Sequence, residues 1–169
     1  MSVMRSTYTR LLVVAMMALS TLGAETLVDT PAANALSATF ANQLETAIHK
    51  HTNAQRRAHG KRAVRWGPCV DRYAEGWARH LASTNRFYHR SWRTIVRGCH
   101  RSYASENIAW YWMRGASPTT LARRIVRMWM NSPHHRANLL SSKPRVMGVG
   151  AAKSRNGNDR WYVVQNFAA

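Results

Sequence analysis

The sequence is poor in acidic residues. Only 7 of its 169 residues are Asp or Glu, against 25 Lys and Arg, which gives a formal net charge of +18. So few carboxylates argue against an acidic binding surface. Hydrophobic residues make up 46% of the chain, too many for a disordered basic tail, and the basic residues are spread along the chain instead of forming blocks. The length suits one folded cationic domain with a single core.

The basic residues are almost all arginine, with 21 Arg against 4 Lys. Two explanations stand: an anionic partner, or a GC-rich genome whose codons favour arginine. If the protein is exported, the anionic partners at hand are cell-envelope polymers, lipid head groups and released nucleic acid, all of which attract a cationic surface. No helix-turn-helix, zinc finger or RNA-stacking motif is present, so specific recognition of nucleic acid is not expected.

A long apolar run is also missing. Residues 1–10 carry Arg5 and Arg10, and the apolar run over residues 11–23 is shorter than the roughly 20 residues that span a bilayer. With the small residues at 33–35, this pattern predicts a secretory signal peptide over residues 1–35, cleaved after Ala35. A single secreted domain over residues 36–169, without a transmembrane segment, is then expected. A lipoprotein would need a cysteine after the apolar run, where the sequence has none.

Cysteine is scarce, with only Cys69 and Cys99 in the chain. In an exported protein a single pair is most simply one disulfide, which closes a loop of about 30 residues and contributes about 3.5 kcal/mol in the chain-entropy model. Two thiols are too few for a cysteine-rich metal site. Their spacing also differs from a Cys-x-x-Cys redox motif.

The hydrophobic pattern predicts four helices followed by a hairpin. Pro68 and Pro118 each suit the first turn of a helix, and Asn156-Gly157 is a strong hairpin turn signal. Residues 107–112 are short and apolar, which fits either a buried strand or a turn of helix. Residues 87–105 lack a period and are expected to form a long loop. The order of elements indicates an α+β fold. The predicted helices cover residues 40–58, 68–85, 118–131 and 133–140, and the predicted strands cover 146–152 and 161–167.

Four polar residues are candidates for chemistry. His89 lies in the predicted long loop, where no core requires a histidine, and Glu106 is one of few acids. His134 and His135 are neighbours at the start of a short helix, and neighbouring helical positions point about 100° apart. We therefore expect one of these two histidines to face a site and the other to face away.

A series of short motifs resembles one known family in content and order. The series is similar to the CAP superfamily, which groups the cysteine-rich secretory proteins, antigen five and the pathogenesis-related proteins with exported bacterial domains. The resemblance extends from about Leu44 to Phe167. Its motifs are Asn53-x3-Arg57-x-His59-Gly60, Trp66, Trp77-Ala78, Leu81-Ala82, His89, Glu106-Asn-Ile-Ala109, Trp129-x2-Ser132-Pro-x-His135-Arg-Ala-Asn-Leu139, Gly148-Val-Gly150 and Trp161-Tyr-Val-Val-Gln-Asn-Phe167.

The resemblance implies a three-layer α-β-α sandwich of the CAP/SCP type, with a C-terminal antiparallel hairpin and a ligand groove. His89, Glu106 and His135 match three of the four groove positions of the family. The fourth position, a glutamate in many members, is Ser132 here, as in many bacterial members. His134 stands where glycine is common. The expected Cys69–Cys99 disulfide would tie the second helix to the loop after His89.

The implied groove has two candidate functions. As a binding or cell-envelope interaction module it would hold a lipid or another small ligand, with Trp110 and Trp112 beside the cavity. His89 and His135 are also potential ligands of Zn²⁺ or another divalent cation. Family members of this kind are secreted, and we expect a monomer that associates with the cell wall through its charge.

The alternative is a secreted metal-dependent or acid-base hydrolase, similar to a ribonuclease or a protease. His89, Glu106 and His135 are then the candidate catalytic residues, with Arg90 or Arg136 steadying an anion. No residue has the context of an activated nucleophile: both cysteines are expected to be oxidised, and no serine has a recognisable triad context. The sequence therefore favours a binding protein over an enzyme.

Overall fold

The computed structural model describes residues 31–112, 115–156 and 159–169. The predicted signal peptide up to residue 30, and residues 157 and 158 of the predicted hairpin turn, lie outside this description. No helix within the described ranges is long and apolar enough to cross a membrane. The elements are α1 (Pro31–Ala58), β1 (Arg65–Trp66), α2 (Pro68–Thr84), α3 (Trp92–Gly98), β2 (Ala104–Trp112), α4 (Pro118–Asn131), α5 (Pro133–Leu140), β3 (Val146–Lys153) and β4 (Arg160–Ala168).

The four strands form one sheet in the order β1-β3-β4-β2. β3 and β4 pair antiparallel, with Gly150 opposite Val164, as the hairpin prediction requires. β2 adds to the other edge of β4 with Ile108 opposite Val164, so residues 107–112 are strand and not helix. The two-residue strand β1 joins β3 in parallel.

Helices cover both faces of the sheet. On one face α1 and α4 bury a core that includes Leu44, Ile48, Leu121 and Trp129. On the other face α2 packs against the sheet through Ala74, Ala78 and Leu81. Three layers of α, β and α result, which confirms the expected α+β sandwich.

Two helices depart from the sequence prediction. α1 begins at Pro31, nine residues before the predicted start at Phe40, and so includes the residues just before the predicted cleavage site. α3 lies within residues 87–105, where a loop was expected. Its 7 residues make fewer than two turns and bury only Ile95, so no apolar period is visible in the sequence.

The predicted disulfide is confirmed. Cys69 and Cys99 are bonded, with their Cα atoms 5.8 Å apart. Cys69 lies in the first turn of α2, and Cys99 follows α3 as its C-cap residue. The disulfide joins a small core around Val70 and Ile95, and it fixes α3 against the start of α2.

Candidate functional site

A groove of about 770 Å³ runs along β2 and the outer surfaces of α4 and α5. Most of its lining is apolar or aromatic, and its polar side chains are His89, His135 and Arg124. The volume lies within the range of small-molecule sites, about 300–1,000 Å³. The lining residues are Phe87, His89, Ile108, Ala109, Trp110, Tyr111, Trp112, Arg124, Met128 and His135.

His89 and Glu106 form the closest polar pair at this groove. The His89 Nδ1 atom lies 2.8 Å from Glu106 Oε1, and the Arg90 backbone N–H donates to the same oxygen at 3.1 Å. The side chain of His89 is 56% exposed, whereas that of Glu106 is 5% exposed. The buried Glu106 carboxyl group therefore orients the imidazole through its Nδ1 atom, and the Nε2 atom of His89 remains available to a ligand.

Burial raises the pKa of Glu106 above its usual range, and the hydrogen bonds from His89 and from the Arg90 N–H partly oppose this rise. The second carboxylate oxygen, Oε2, is buried without a hydrogen-bond partner among the described residues. This carboxyl group thus orients a histidine in a poorly hydrated position and does not itself line the groove.

His135 supplies the second imidazole of the groove. Its Nδ1 atom lies 2.8 Å from the hydroxyl of Ser132, the residue that ends α4 and caps α5. Burial lowers the pKa of His135 below its usual value, and the nearby charges of His89 and His134 lower it further. Both effects favour the neutral form of the His135 imidazole. His134 is exposed and does not line the groove.

Three amides hold the two sides of the site together. The Asn138 side chain on α5 donates to the Glu106 backbone carbonyl at 3.1 Å and to Asn107 Oδ1 at 3.0 Å. Asn107 in turn donates to Gln165 Oε1 on β4 and to the His135 carbonyl. The network fixes α5, and with it His135, against the strand that carries Glu106. All three amides stand in the sequence motifs, but their role is visible only in the structure.

Neither arginine that the sequence suggested for anion binding lines the groove. The Arg90 guanidinium donates to the Tyr73 carbonyl at 2.9 Å and lies over the Trp77 ring at 4.8 Å. Arg136 lines a separate cleft between α1 and α4. Among the described residues, Arg124 on the exposed face of α4 is the cation that reaches the groove.

The apolar part of the groove includes an aromatic pair on β2. The rings of Trp110 and Trp112 meet edge to face, with centroids 4.8 Å apart. Arg160 covers Trp110 from β4, with its guanidinium carbon 4.8 Å from the ring centroid. Trp112 is 37% exposed and Met128 is 40% exposed, so the groove presents an apolar surface to solvent.

The polar residues give an incomplete set of metal ligands. Within the described ranges, no three His, Cys, Asp or Glu side chains are arranged to hold a metal ion. The Nδ1 atoms of His89 and His135 are engaged, so each histidine offers only its Nε2 atom. Glu106 behind His89 resembles the outer-sphere carboxylate that orients metal-bound histidines. Two protein ligands fall short of the three that a resident catalytic zinc has.

Comparison with known proteins identifies the family of the domain. Residues 49–167 match the model of CAP, the cysteine-rich secretory protein family. The chain therefore belongs to the CAP family, as its motifs indicate. No curated protein matches it significantly.

Solved bacterial structures share the fold. An extracellular protein containing an SCP domain from Bacillus anthracis is 25% identical with a TM-score of 0.65, over 82% of this chain and 43% of that one. An outer surface protein from Borrelia burgdorferi is 16% identical with a TM-score of 0.63, over 75% of this chain and 92% of that one. A cysteine-rich secretory protein from Staphylococcus aureus is 20% identical with a TM-score of 0.55, over 76% and 39%. The chain thus spans less than half of the Bacillus and Staphylococcus proteins.

Proposed function

We propose that this chain is an exported binding module of the cell envelope, whose groove holds a lipid or another small, largely apolar ligand. The observation that carries the proposal is the lining of the groove. Its long side is apolar and aromatic, and its few polar groups are His89, His135 and Arg124. Such a site suits an amphipathic molecule, with its apolar body along Trp110 and Met128 and its polar end at the imidazoles.

Export and envelope association rest on separate support. The bacterial proteins with this fold are described as extracellular or as outer surface proteins. The predicted signal peptide over residues 1–35 agrees with secretion. A net charge of +18 draws the domain to anionic envelope polymers and lipid surfaces.

Binding fits the site better than hydrolysis. His89, oriented by Glu106, has the geometry of a general base. None of the described residues that line the groove is a serine, threonine or cysteine: both cysteines are in the disulfide, and the Ser132 hydroxyl is paired with His135 outside the lining. We therefore propose that the His89–Glu106 pair shapes the polar end of a binding groove.

Replacing Trp112 with alanine should weaken ligand binding. The indole contributes apolar surface to the groove, and losing the burial of one large side chain corresponds to about a ten-fold lower affinity for an apolar ligand. Titration with a fluorescent fatty acid, followed through the label, measures the change. Trp92→Ala is the matched control, because Trp92 is 50% exposed on α3 and does not line the groove. Equal affinity in both variants and the parent would contradict a lipid in this groove.

A divalent cation in the groove would be held by His89 and His135, with water completing its coordination. We expect Zn²⁺ to bind the full chain at a one-to-one ratio but weakly, because only two protein ligands are offered. His89→Ala should abolish this binding in a calorimetric titration. His134→Ala, which removes an exposed histidine outside the groove, should leave it intact. Zinc binding that survives His89→Ala would place the ion elsewhere.

A further inference from the structure

A second, strongly basic pocket lies at the C-terminal end of α1. It has a volume of about 250 Å³ and shares no lining residue with the groove. The end of α1, the turn that leads to β1 and the segment between α5 and β3 surround it. None of the described Asp or Glu residues lines it. Its cationic lining residues are Arg56, Lys61, Arg62, Arg65 and Arg145.

The pocket is built around a buried charge. Arg56 is only 1% exposed. Its Nε atom donates to the Arg62 carbonyl at 2.8 Å, and Nη1 donates to the carbonyls of Leu139 and Ser141 at 2.6 and 2.9 Å. These acceptors are neutral, so they satisfy the donors without cancelling the charge. The bonds use Nε and Nη1 and leave Nη2 available to the pocket that Arg56 lines.

The other cations are brought together by the backbone. The Arg65 N–H donates to the Arg145 carbonyl at 3.0 Å, which places these two residues side by side at the start of β1 and β3. Lys61 reaches Ser142 with its ammonium group at 3.3 Å. Within the described residues, no carboxylate lies within 4.0 Å of any of these side chains. All five cationic residues line one pocket of about 250 Å³, so their like charges repel one another, and an anion in the pocket would offset the repulsion.

The chemistry of the pocket suits a tetrahedral oxyanion. Guanidinium groups bind phosphate through pairs of parallel hydrogen bonds, and several of them can approach one phosphate from different sides. The pocket volume of about 250 Å³ is several times the roughly 30 Å³ that one water molecule takes in the liquid. The pocket therefore has room for a phosphate group together with part of the group esterified to it. We propose that this pocket binds a phosphate group, either as the free ion or as an ester of an envelope component.

This site would give part of the basic charge a specific role. A surface that merely carries charge attracts every anion and loses that attraction as salt screens it. A pocket with a buried, fixed guanidinium also selects for shape, and its hydrogen bonds are less exposed to screening. Phosphate should therefore bind saturably to this pocket even at a chloride concentration that screens nonspecific electrostatic attraction.

The test is calorimetric titration of the full chain with inorganic phosphate, at an ionic strength held constant with sodium chloride. Arg62→Gln with Arg145→Gln removes two exposed cations of the pocket, and neither side chain forms an ion pair within the described residues. Each lost charged hydrogen bond corresponds to about a ten-fold change in affinity, so we expect at least a ten-fold loss. Arg56 is left intact, because its bonds to three carbonyls support the fold.

The matched control is Arg72→Gln with Arg86→Gln, which lowers the net charge equally at exposed positions outside the pocket. Its affinity for phosphate should change less than about two-fold, as expected for exposed charges at a distance. Equal losses in the two double variants, or the absence of saturable binding beyond the effect of chloride, would overturn the proposal.

Two further arms distinguish the sources of the phosphate. In the first arm, sn-glycerol 3-phosphate should bind the parent protein and should bind the Arg62→Gln, Arg145→Gln double variant more weakly. This result would support a soluble or polymer-borne phosphate ester. Displacement of inorganic phosphate by vesicles containing phosphatidylglycerol, but not by phosphatidylcholine vesicles, would support a lipid head group. A response confined to the charged vesicles, with none to either soluble phosphate, would overturn a phosphate pocket in favour of simple attraction to a charged surface.

Discussion

Alanine at Gly150 should destabilise the domain by about 3 kcal/mol or more, the upper range for overpacking a rigid core. Gly150 lies on β3 directly beneath α2. A Cβ atom at this position would overlap the backbone of α2 at Ala74 and Glu75, which cannot move aside as the tip of a side chain can. Either α2 shifts away from the sheet, or the pairing of β3 is distorted. Urea unfolding at neutral pH measures the loss.

Gly76→Ala is the control for this substitution. Gly76 lies within α2, and a Cβ atom there would have no neighbour within 4 Å. Alanine is the better helix former, so this variant should gain about 0.5–1 kcal/mol. If Gly150→Ala were as stable as Gly76→Ala, the close approach of α2 to β3 would be wrong.

The same close packing explains the Gly148-Val-Gly150 motif. The sequence shows two glycines in a strand, and their spacing alone predicts only a weak strand. In the fold both glycines face α2, because alternate residues of a strand point to the same side. Val149 points the other way, into the core with α1 and α4. Glycine is required at both positions because α2 lies so close to β3 that no Cβ atom fits between them. A local sequence pattern does not encode this distance between helix and sheet.

The groove was predictable to the extent that its residues lie in ordered motifs. His89, Glu106 and His135 are the residues that the structure brings to one place, although Glu106 lies behind His89 and Ser132 behind His135. Arg124 was not singled out, because one more arginine on an exposed helix face carries no signal in so basic a chain.

The buried arginine was also missed. The family-like motif near the end of α1 contains Arg57, but Arg57 is exposed, and its neighbour Arg56 is the buried residue. A usable signal was present: Leu44, Ile48, Thr52 and Arg56 follow one another at four-residue intervals and all face the core. This stripe of buried positions passes from apolar residues to Thr52 and then to Arg56. Because arginine usually lies at the surface, the spacing alone does not predict that Arg56 is buried.

The few acids of the chain have more specific roles than their number suggests. β1 pairs only with the first two residues of β3, so later N–H groups on that edge have no partner strand. Asp71 on α2 accepts the Val149 N–H at 3.0 Å, and Glu45 on α1 accepts the Ala151 N–H at 2.8 Å. Two carboxyl groups thus complete the edge of the sheet, a role that no sequence pattern predicts.

Glu45 makes stability depend on pH. It is 6% exposed, and burial raises its pKa to about 8, assisted by the charges of Glu75 and Asp71 and opposed by the Ala151 N–H. The folded protein therefore keeps this proton up to about pH 8, whereas the unfolded chain loses it near the ordinary glutamate pKa of 4.5. Between these values the folded state binds more protons, so stability falls as the pH rises.

Glu45→Gln should remove most of this loss. Glutamine keeps the oxygen that accepts the Ala151 N–H and has no charge to desolvate. Each pKa unit corresponds to about 1.4 kcal/mol, so at pH 9 the variant should be more stable than the parent by on the order of 4 kcal/mol. At pH 4 the carboxyl group is protonated in both states of the parent, and the two proteins should then differ by less than about 1 kcal/mol.

Urea unfolding at pH 4, 7 and 9 measures this difference, with Asp159→Asn as the control. Asp159 is an exposed acid that contacts Lys153 at 3.0 Å, so its replacement should change stability by less than about 1 kcal/mol at any of these pH values. An equal fall in stability with pH in Glu45→Gln and the parent would show that Glu45 is ionised in the folded state at neutral pH. The Ala151 N–H would then be bound to a hydrated carboxylate, and the gap between α1 and β3 would have to admit water.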